Sequence, residues 1–272
     1  AAHAEDGDLR PGIGHFPWPL AVDGMYEDVD VPAPRLSDPA IYDAHPDFLK
    51  NSLNRERWYW RWDTPEKYQT NIRAYFRMIS GIDRVIGRVM EELEELGMAD
   101  HTIIIYAADN GYYMGDRGFA GKWTHYEQSI RIPLIIFDPG AGRTRRGKVV
   151  DELVLNLDLP ATFLDLAGTG IPASYQGKSL MPLIREDKAG PWREHFFCEF
   201  LYPFDVIPKW EGVRTRDRIY ARYIDQEPVY EYLHDMKADP DQLKNLAGEP
   251  DYRDIKEELR QLCNQYVKAY EK

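Results

Sequence analysis

Two short apolar runs near the middle of the chain enclose a polar loop. The first run covers residues 103–108 and the second covers residues 132–137, and both are rich in isoleucine. Such runs are typical of buried strands in an α/β sheet, and ligands in these sheets bind just beyond the carboxyl ends of the strands. The loop is punctuated by glycine and carries Lys122 between Gly121 and Trp123. The pattern therefore predicts an α/β fold with an active-site loop between two strands.

Asp109 and Asn110 come directly after the first run. A carboxylate beside an amide carbonyl supplies two hard oxygen donors, which suit calcium or magnesium better than a soft metal. The sequence Asp-Asn-Gly is also one of the strongest turn formers. On these residues alone, a cation site and a plain turn both remain open.

The central block resembles the sulfatase family of the alkaline-phosphatase-like superfamily. The shared order is an amphipathic helix, a strand, the Asp-Asn-Gly metal pair, a Gly-Lys pair, and Glu-x-Ser-x-Arg-x-Pro-Leu at residues 127–134. The likeness continues at residues 177–183 and 232–240. The resemblance implies part of an alkaline-phosphatase-like sheet with flanking helices, followed by a small C-terminal antiparallel sheet with a helix. It also implies hydrolysis of a sulfuric ester, with a sulfated small molecule or glycan as substrate.

The resemblance assigns roles to four residues. Asp109 and Asn110 match the family's metal ligands, with calcium as the expected ion and magnesium as the alternative. Lys122 matches the lysine that contacts the sulfate. His3, in Ala1-Ala2-His3-Ala4, is similar to the histidine of an Ala-Pro-His segment that reaches the sulfate or the leaving-group oxygen. A frayed terminal histidine is the alternative for His3, because chain ends are commonly disordered.

The family's formylglycine nucleophile is made from a cysteine or serine in a Cys/Ser-x-Pro/Ala-x-Arg motif. Neither Cys198 nor Cys263 is followed by the required residues. We therefore expect the nucleophile to lie in an N-terminal half outside this chain, and the chain alone to be inactive. Self-association or pairing with that half is expected, as is weak metal binding, because two donors are too few for calcium. The family also implies a periplasmic or secreted location.

Two other functions remain open. One is a phosphate or phosphonate ester hydrolase of the same superfamily, and the other is a non-catalytic module that binds anionic glycans. The net charge of −12 argues against nucleic acid or an anionic membrane surface as partner. No apolar run approaches the roughly 20 residues that a membrane span requires.

The remaining patterns predict the organisation of the chain. Residues 5–62 are expected to form a long ordered loop over the site. A helix should begin after Thr64, with Pro65 in its first turn, and pack an apolar stripe on the sheet until Gly97. A second helix, capped by Asp158, should end near residue 168.

Four short strands and a final helix at residues 251–270 predict an α+β subdomain. The expected domains are therefore residues 1–190, the catalytic α/β part, and residues 191–272.

Three polar groups in the central loop also have expected contacts. Asp116 and Arg117 should form a local ion pair, and Glu127 should pair with Arg131 four residues later. His125 should pack beside its neighbouring tyrosine rather than act in catalysis.

Overall fold

The computed structural model of the chain describes residues 15–142, 147–186 and 190–270. Within these ranges the helices are α1 (Pro39–Asp43), α2 (Asp47–Lys50), α3 (Leu53–Arg61), α4 (Pro65–Glu95), α5 (Glu127–Ile130), α6 (Asp158–Leu166), α7 (Met181–Arg185) and α8 (Arg253–Tyr270). The strands are β1 (Ile104–Ala107), β2 (Tyr113–Met114), β3 (Ala120–Gly121), β4 (Leu134–Phe137), β5 (His195–Phe200), β6 (Trp210–Thr215), β7 (Arg218–Tyr223) and β8 (Tyr230–Asp235). The predicted α/β class is confirmed.

The long helix α4 begins as the sequence predicts. Thr64 is in an extended conformation and its hydroxyl accepts a hydrogen bond from the Lys67 amide at 3.2 Å, while Pro65 occupies the first turn. This cap satisfies one of the amide donors that every helix N-terminus leaves unpaired.

The apolar stripe of α4 is only partly covered. Its first half is buried against Phe16, Val31 and Trp62. In its second half, Val89 and Leu96 are exposed. The expectation that the whole stripe packs on a sheet is therefore wrong for this half of the helix, because none of the described elements covers it.

The two central strands form an antiparallel pair, with Ile104 opposite Phe137 and Ala107 opposite Leu134. They are less buried than their composition predicts, since Ile135 is 64% exposed. Among the described residues this sheet has only two strands, and alternate residues of β4, Ile135 and Phe137, are exposed on one face.

Residues 39–61 are not part of a long loop, because they form three short helices. Residues 15–38 are irregular, as predicted, apart from one 3-10 turn at Leu20–Val22, and residues 5–14 of the predicted loop lie outside the described residues. Asp38 accepts a hydrogen bond from the Ala40 amide at 2.9 Å and so caps α1, in which Pro39 is the first residue. Asp38 and Pro39 therefore start a helix within the predicted loop.

The C-terminal region folds as the sequence predicts. Strands β5, β6, β7 and β8 form one antiparallel sheet in chain order, and α8 packs its apolar face on this sheet through Leu259 and Cys263. A second core cluster contains residues from both sides of position 190, including Tyr113, Phe119 and Trp210. The domain boundary near residue 190 remains a prediction.

Helix α6 differs from the prediction at its start. Leu157 occupies the cap position and Asp158 is the first helical residue. The buried Asp158 carboxylate accepts hydrogen bonds from the Leu155 amide at 2.7 Å and the Lys178 amide at 2.8 Å, and it pairs with Arg193. The acidic side chain therefore joins two distant segments, at Lys178 and Arg193, to the start of the helix.

Across the described ranges, no helix has the combined length and apolar character needed to cross a bilayer.

Candidate active site

A small hairpin carries the predicted lysine. Strands β2 and β3 pair antiparallel with Tyr113 opposite Gly121, and Lys122 follows Gly121 directly. Lys122 therefore lies across from the residues that immediately precede Tyr113. The bend that contains Asp109 and Asn110 comes just before those residues, at the end of β1.

The bend after β1 is held by backbone contacts to the segment around α5. The Gly111 amide donates to the Ser129 carbonyl at 2.9 Å, and the Ala108 amide donates to the Pro133 carbonyl at 3.4 Å. A Cβ atom on Gly111 would lie 2.3 Å from the Gln128 carbonyl oxygen, so only glycine fits here. The Asp-Asn-Gly sequence therefore forms a bend, and the bend fixes the backbone positions of Asp109 and Asn110.

The side chains of the bend offer oxygen donors. The Asn110 Nδ2 donates to the Gly111 carbonyl at 2.6 Å, so the amide oxygen Oδ1 remains available. Asp109 is exposed and has no ion-pair partner in the described part of the chain. No group of three or more His, Cys, Asp or Glu side chains within the described ranges is arranged to hold a metal. The donors therefore suit a hard divalent cation in type but supply only two of the six or more ligands that calcium takes.

Lys122 is half-buried, and its Nζ lies 6.0 Å from the ring centroid of Trp123. No carboxylate among the described residues pairs with this ammonium. Its backbone carbonyl accepts a hydrogen bond from Asn54 Nδ2 at 2.7 Å. A compact ammonium with three donors and no internal counter-ion is suited to an anionic ligand.

His125 is a core residue, as predicted. Its ring lies 4.1 Å from that of Tyr126 between centroids, and it is fully buried. Its Nδ1 is 2.9 Å from the Tyr223 hydroxyl, and its Nε2 is 3.2 Å from Nε2 of His234. Burial lowers the pKa of His125 well below its usual value and lowers the pKa of His234 to about 4. Both rings are therefore neutral near pH 7 and do not supply positive charge to the site.

Arg117 does not form the predicted ion pair with Asp116. The Asp116 carboxylate accepts from the Leu36 amide at 3.0 Å, and the buried Arg117 guanidinium donates to the carbonyls of Asp241 and Gln242. The pair is absent because the backbone of Arg117 adopts a left-handed conformation, with φ of 59°.

Glu127 also pairs differently from the prediction. Its carboxylate accepts from Arg214 Nε at 2.9 Å instead of from Arg131. Helix α5 has only four residues, so Arg131 has already left the helix with extended backbone. Arg131, the second residue of the predicted i,i+4 pair, therefore does not lie on the same helical face as Glu127. His3 lies outside the described residues.

The two cysteines are not activated thiols. Burial raises the pKa of Cys198 to about 12 and that of Cys263 to about 11. A thiol with a raised pKa carries little thiolate at neutral pH and is a poor nucleophile. This agrees with the expectation that neither cysteine is the catalytic nucleophile.

Asn54 is a site residue that the sequence did not reveal. It is buried on α3 and donates to the carbonyls of both Ala120 and Lys122. These contacts join residues 66 and 68 positions apart, so no local pattern in the sequence marks them.

Comparisons with known proteins show the family of this chain. A family model described as "N-sulphoglucosamine sulphohydrolase, C-terminal" matches residues 115–269, and one described as "Sulfatase" matches residues 39–169. The N-acetylglucosamine-6-O-sulfatase of Bacteroides thetaiotaomicron is 34% identical over 208 residues, which are 75% of this chain and 37% of the relative.

Two solved structures extend the comparison. A protein in complex with its substrate D-glucosamine-2-N,6-O-disulfate is 33% identical, with a TM-score of 0.69 over 76% of this chain and 42% of that chain. A phosphonate monoester hydrolase from Silicibacter pomeroyi is 26% identical, with a TM-score of 0.77 over 96% of this chain and 54% of that chain. The chain thus spans between about one third and just over one half of these relatives' lengths. The chain belongs to the sulfatase family of the alkaline-phosphatase-like superfamily.

Proposed function

We propose that this chain supplies the sulfate-binding lysine and part of the metal site of a sulfatase that acts on a sulfated amino sugar. The observation that carries the proposal is the Lys122 ammonium, which has no counter-ion among the described residues and directly follows a hairpin whose first strand begins three residues after Asn110. The relatives that are named for glucosamine sulfates support the choice of sugar.

The chemistry of sulfate ester hydrolysis suits these side chains. As the ester bond breaks, negative charge grows on the non-bridging oxygens and on the departing oxygen, so positive groups aimed at these atoms lower the barrier. Lys122 would donate hydrogen bonds to the non-bridging oxygens. His3 would donate a proton to the leaving alkoxide, since histidine titrates near neutral pH.

Asp109 and Asn110 would hold one side of a divalent cation, for which we propose calcium, with magnesium as the alternative. When bound, such a cation neutralises sulfate charge and acidifies a nearby hydroxyl. The carboxylate of Asp109 and the amide oxygen of Asn110 leave at least four positions for other ligands. We propose that these come from outside the 272 residues.

We also propose that the formylglycine nucleophile lies outside these residues. Neither cysteine has the required sequence around it. The chain alone is therefore expected to bind a sulfated sugar without hydrolysing it.

A phosphonate ester hydrolase is the second candidate, because the Silicibacter pomeroyi structure matches almost the whole chain. Both reactions use a metal and a cationic clamp on a tetrahedral oxyanion. Binding of glucosamine 6-sulfate compared with a phosphonate monoester separates the two. The sulfatase proposal requires the sulfated sugar to bind more tightly.

The proposal is tested by titrating the 272-residue chain and its Lys122→Ala variant with glucosamine 6-sulfate. A hydrogen bond to a charged group contributes about 1.5–3 kcal/mol, so the variant should bind at least about tenfold more weakly. Lys178→Ala is the matched control, because Lys178 also follows a glycine and its Nζ lies 5.6 Å from the Trp192 ring. Equal affinities for the chain and the Lys122 variant would contradict the proposal.

A further inference from the structure

We infer that Asn54 is a positioning residue that sets the direction of the Lys122 side chain. The inference deepens the proposed function and rests on it for the role of the lysine. The hydrogen bonds that Asn54 donates go to backbone carbonyls at and beside Lys122. Asn54 would therefore act on the sulfate through the lysine rather than touch it.

The backbone on both sides of Lys122 is unusual. Gly121 has a φ of 78° and Trp123 has a φ of 80°, so both neighbours lie in the left-handed region. A bulky residue such as Trp123 rarely adopts this conformation, and it persists only where surrounding contacts hold it. The direction in which the Lys122 side chain leaves the backbone therefore depends on those contacts.

Asn54 supplies two of these contacts. Its Nδ2 donates one hydrogen bond to the Ala120 carbonyl and one to the Lys122 carbonyl, each at 2.7 Å. The amide group has two N–H bonds, and both are used here. Turning the amide over would place its oxygen against two carbonyl oxygens, so the orientation of the side chain is fixed. Asn54 therefore clamps the backbone on either side of Gly121.

The clamp itself is held firmly. Asn54 is 1% exposed, and α3 packs against β3 along this contact. The Leu53 amide donates to the Val206 carbonyl at 2.9 Å and anchors the start of α3. On the far side of the lysine, Trp210 Nε1 donates to the Trp123 carbonyl at 2.7 Å. Side chains from two separate elements thus hold three of the four backbone carbonyls from Ala120 to Trp123.

Stability alone does not explain an asparagine at this position. The Asn54 Oδ1 is buried and has no hydrogen-bond partner among the described residues. A buried acceptor without a partner destabilises the fold, so its presence calls for an explanation, and a functional role is one such explanation. The two hydrogen bonds that Asn54 donates, one to the Ala120 carbonyl and one to the Lys122 carbonyl, fit a positioning role.

Asn71 provides a matched comparison. It is also buried, and its Nδ2 also donates to two backbone carbonyls, those of Arg61 at 3.0 Å and Lys67 at 3.1 Å. Its Oδ1 also accepts from the His15 amide at 2.7 Å, and none of these hydrogen bonds involves the hairpin. Asn71→Asp therefore disturbs the same chemistry without touching Lys122.

The test is carried out on the 272-residue chain after reductive methylation of its lysines with a ¹³C label. The Lys122 signal is identified by its loss in Lys122→Arg. In the unmodified sequence, the Trp123 ring 6.0 Å from Nζ should shift this signal away from those of exposed lysines. In Asn54→Asp, a carboxylate faces two carbonyls, so the signal should move toward the exposed-lysine position. The affinity for glucosamine 6-sulfate should fall about tenfold.

Asn71→Asp should lower thermal stability but leave the Lys122 signal and the sugar affinity unchanged. If Asn54→Asp does not fold, Asn54→Ser keeps one small donor without added charge and gives the same readout. An unchanged Lys122 signal in a folded Asn54 variant would overturn the inference. If the unmodified chain does not bind the sugar while its Lys122 signal still depends on Asn54, the positioning role stands and the proposed function fails.

Discussion

Replacing His45 by phenylalanine should weaken the acid sensitivity of the fold. The His45 ring is 5% exposed and stacks on Phe119 with 4.8 Å between ring centroids. Its Nδ1 is 3.2 Å from the Tyr126 hydroxyl, and its buried Nε2 has no hydrogen-bond partner in the part of the chain that the structure describes. Burial, with a smaller contribution from the nearby Arg117 charge, lowers the pKa of His45 to about 3.

The sign and size of the effect follow from this lowered pKa. The unfolded chain binds a proton at His45 below pH 6.5, whereas the folded chain resists it down to a pKa of about 3. Stability from the neutral ring is therefore complete above pH 6.5 and is lost as the pH falls from 6.5 toward 3. Each pH unit in that window costs about 1.4 kcal/mol, so the loss between pH 7 and pH 5 is about 2 kcal/mol.

The assay is urea unfolding of the original chain and of His45→Phe at both pH values. Phenylalanine keeps the stack on Phe119 but removes the titrating group. Carboxylates common to both proteins cancel in the difference between the two free energies of unfolding. That difference should shift by about 2 kcal/mol in favour of the variant on acidification. His101→Phe is the control, because His101 is exposed in the folded chain.

A difference that stays constant between pH 7 and pH 5 would refute the reasoning. It would mean that His45 takes up a proton in the folded state as readily as in the unfolded chain. The neutral state inferred for the buried His45 ring would then be wrong.

Four further predictions concern stability, metal and association. Asp158→Ala should destabilise the fold by about 3–5 kcal/mol in thermal unfolding, because it leaves a buried guanidinium without its partner. Gly111→Ala should destabilise by about 1–3 kcal/mol, since its Cβ would lie 2.3 Å from a carbonyl oxygen, whereas Gly87→Ala, with open space around it, should stabilise α4 by about 0.5–1 kcal/mol. Calorimetric titration should show no tight calcium binding, because Asp109 and its neighbour supply too few ligands. Sedimentation should show association that rises with concentration and falls in Phe137→Lys, because Phe137 is exposed on an uncovered strand face.

The sequence predicted the elements whose signals are local. The cap at Thr64, the helix after Pro65 and the four C-terminal strands all appear within a few residues of their expected places. Capping, helical periodicity and strand alternation act over short stretches of chain, so they can be read from one sequence. The bend at Asp109 follows from the same kind of local rule.

The sequence failed where the deciding contact is distant in the chain. Glu127 pairs with Arg214 rather than with Arg131, and Arg117 donates to the carbonyl of Asp241 rather than pairing with Asp116. The clamp by Asn54 spans more than sixty positions. The burial of the strands was overestimated for a different reason: composition reports which residues favour burial, but not which elements are present to cover them.

The shared aromatic cluster packs residues 113–126 against the C-terminal sheet. Tyr113, Phe119 and Tyr126 pack with Trp210 and Tyr223, so the two sides share one core cluster in addition to the cluster that the sheet forms with α8. A chimaera that exchanges residues 195–235 with a relative would graft a foreign surface beneath the β2–β3 hairpin. Such a chimaera should fold only when residues 113–126 are exchanged together with that sheet. Sequence changes in the two segments should therefore be correlated among relatives.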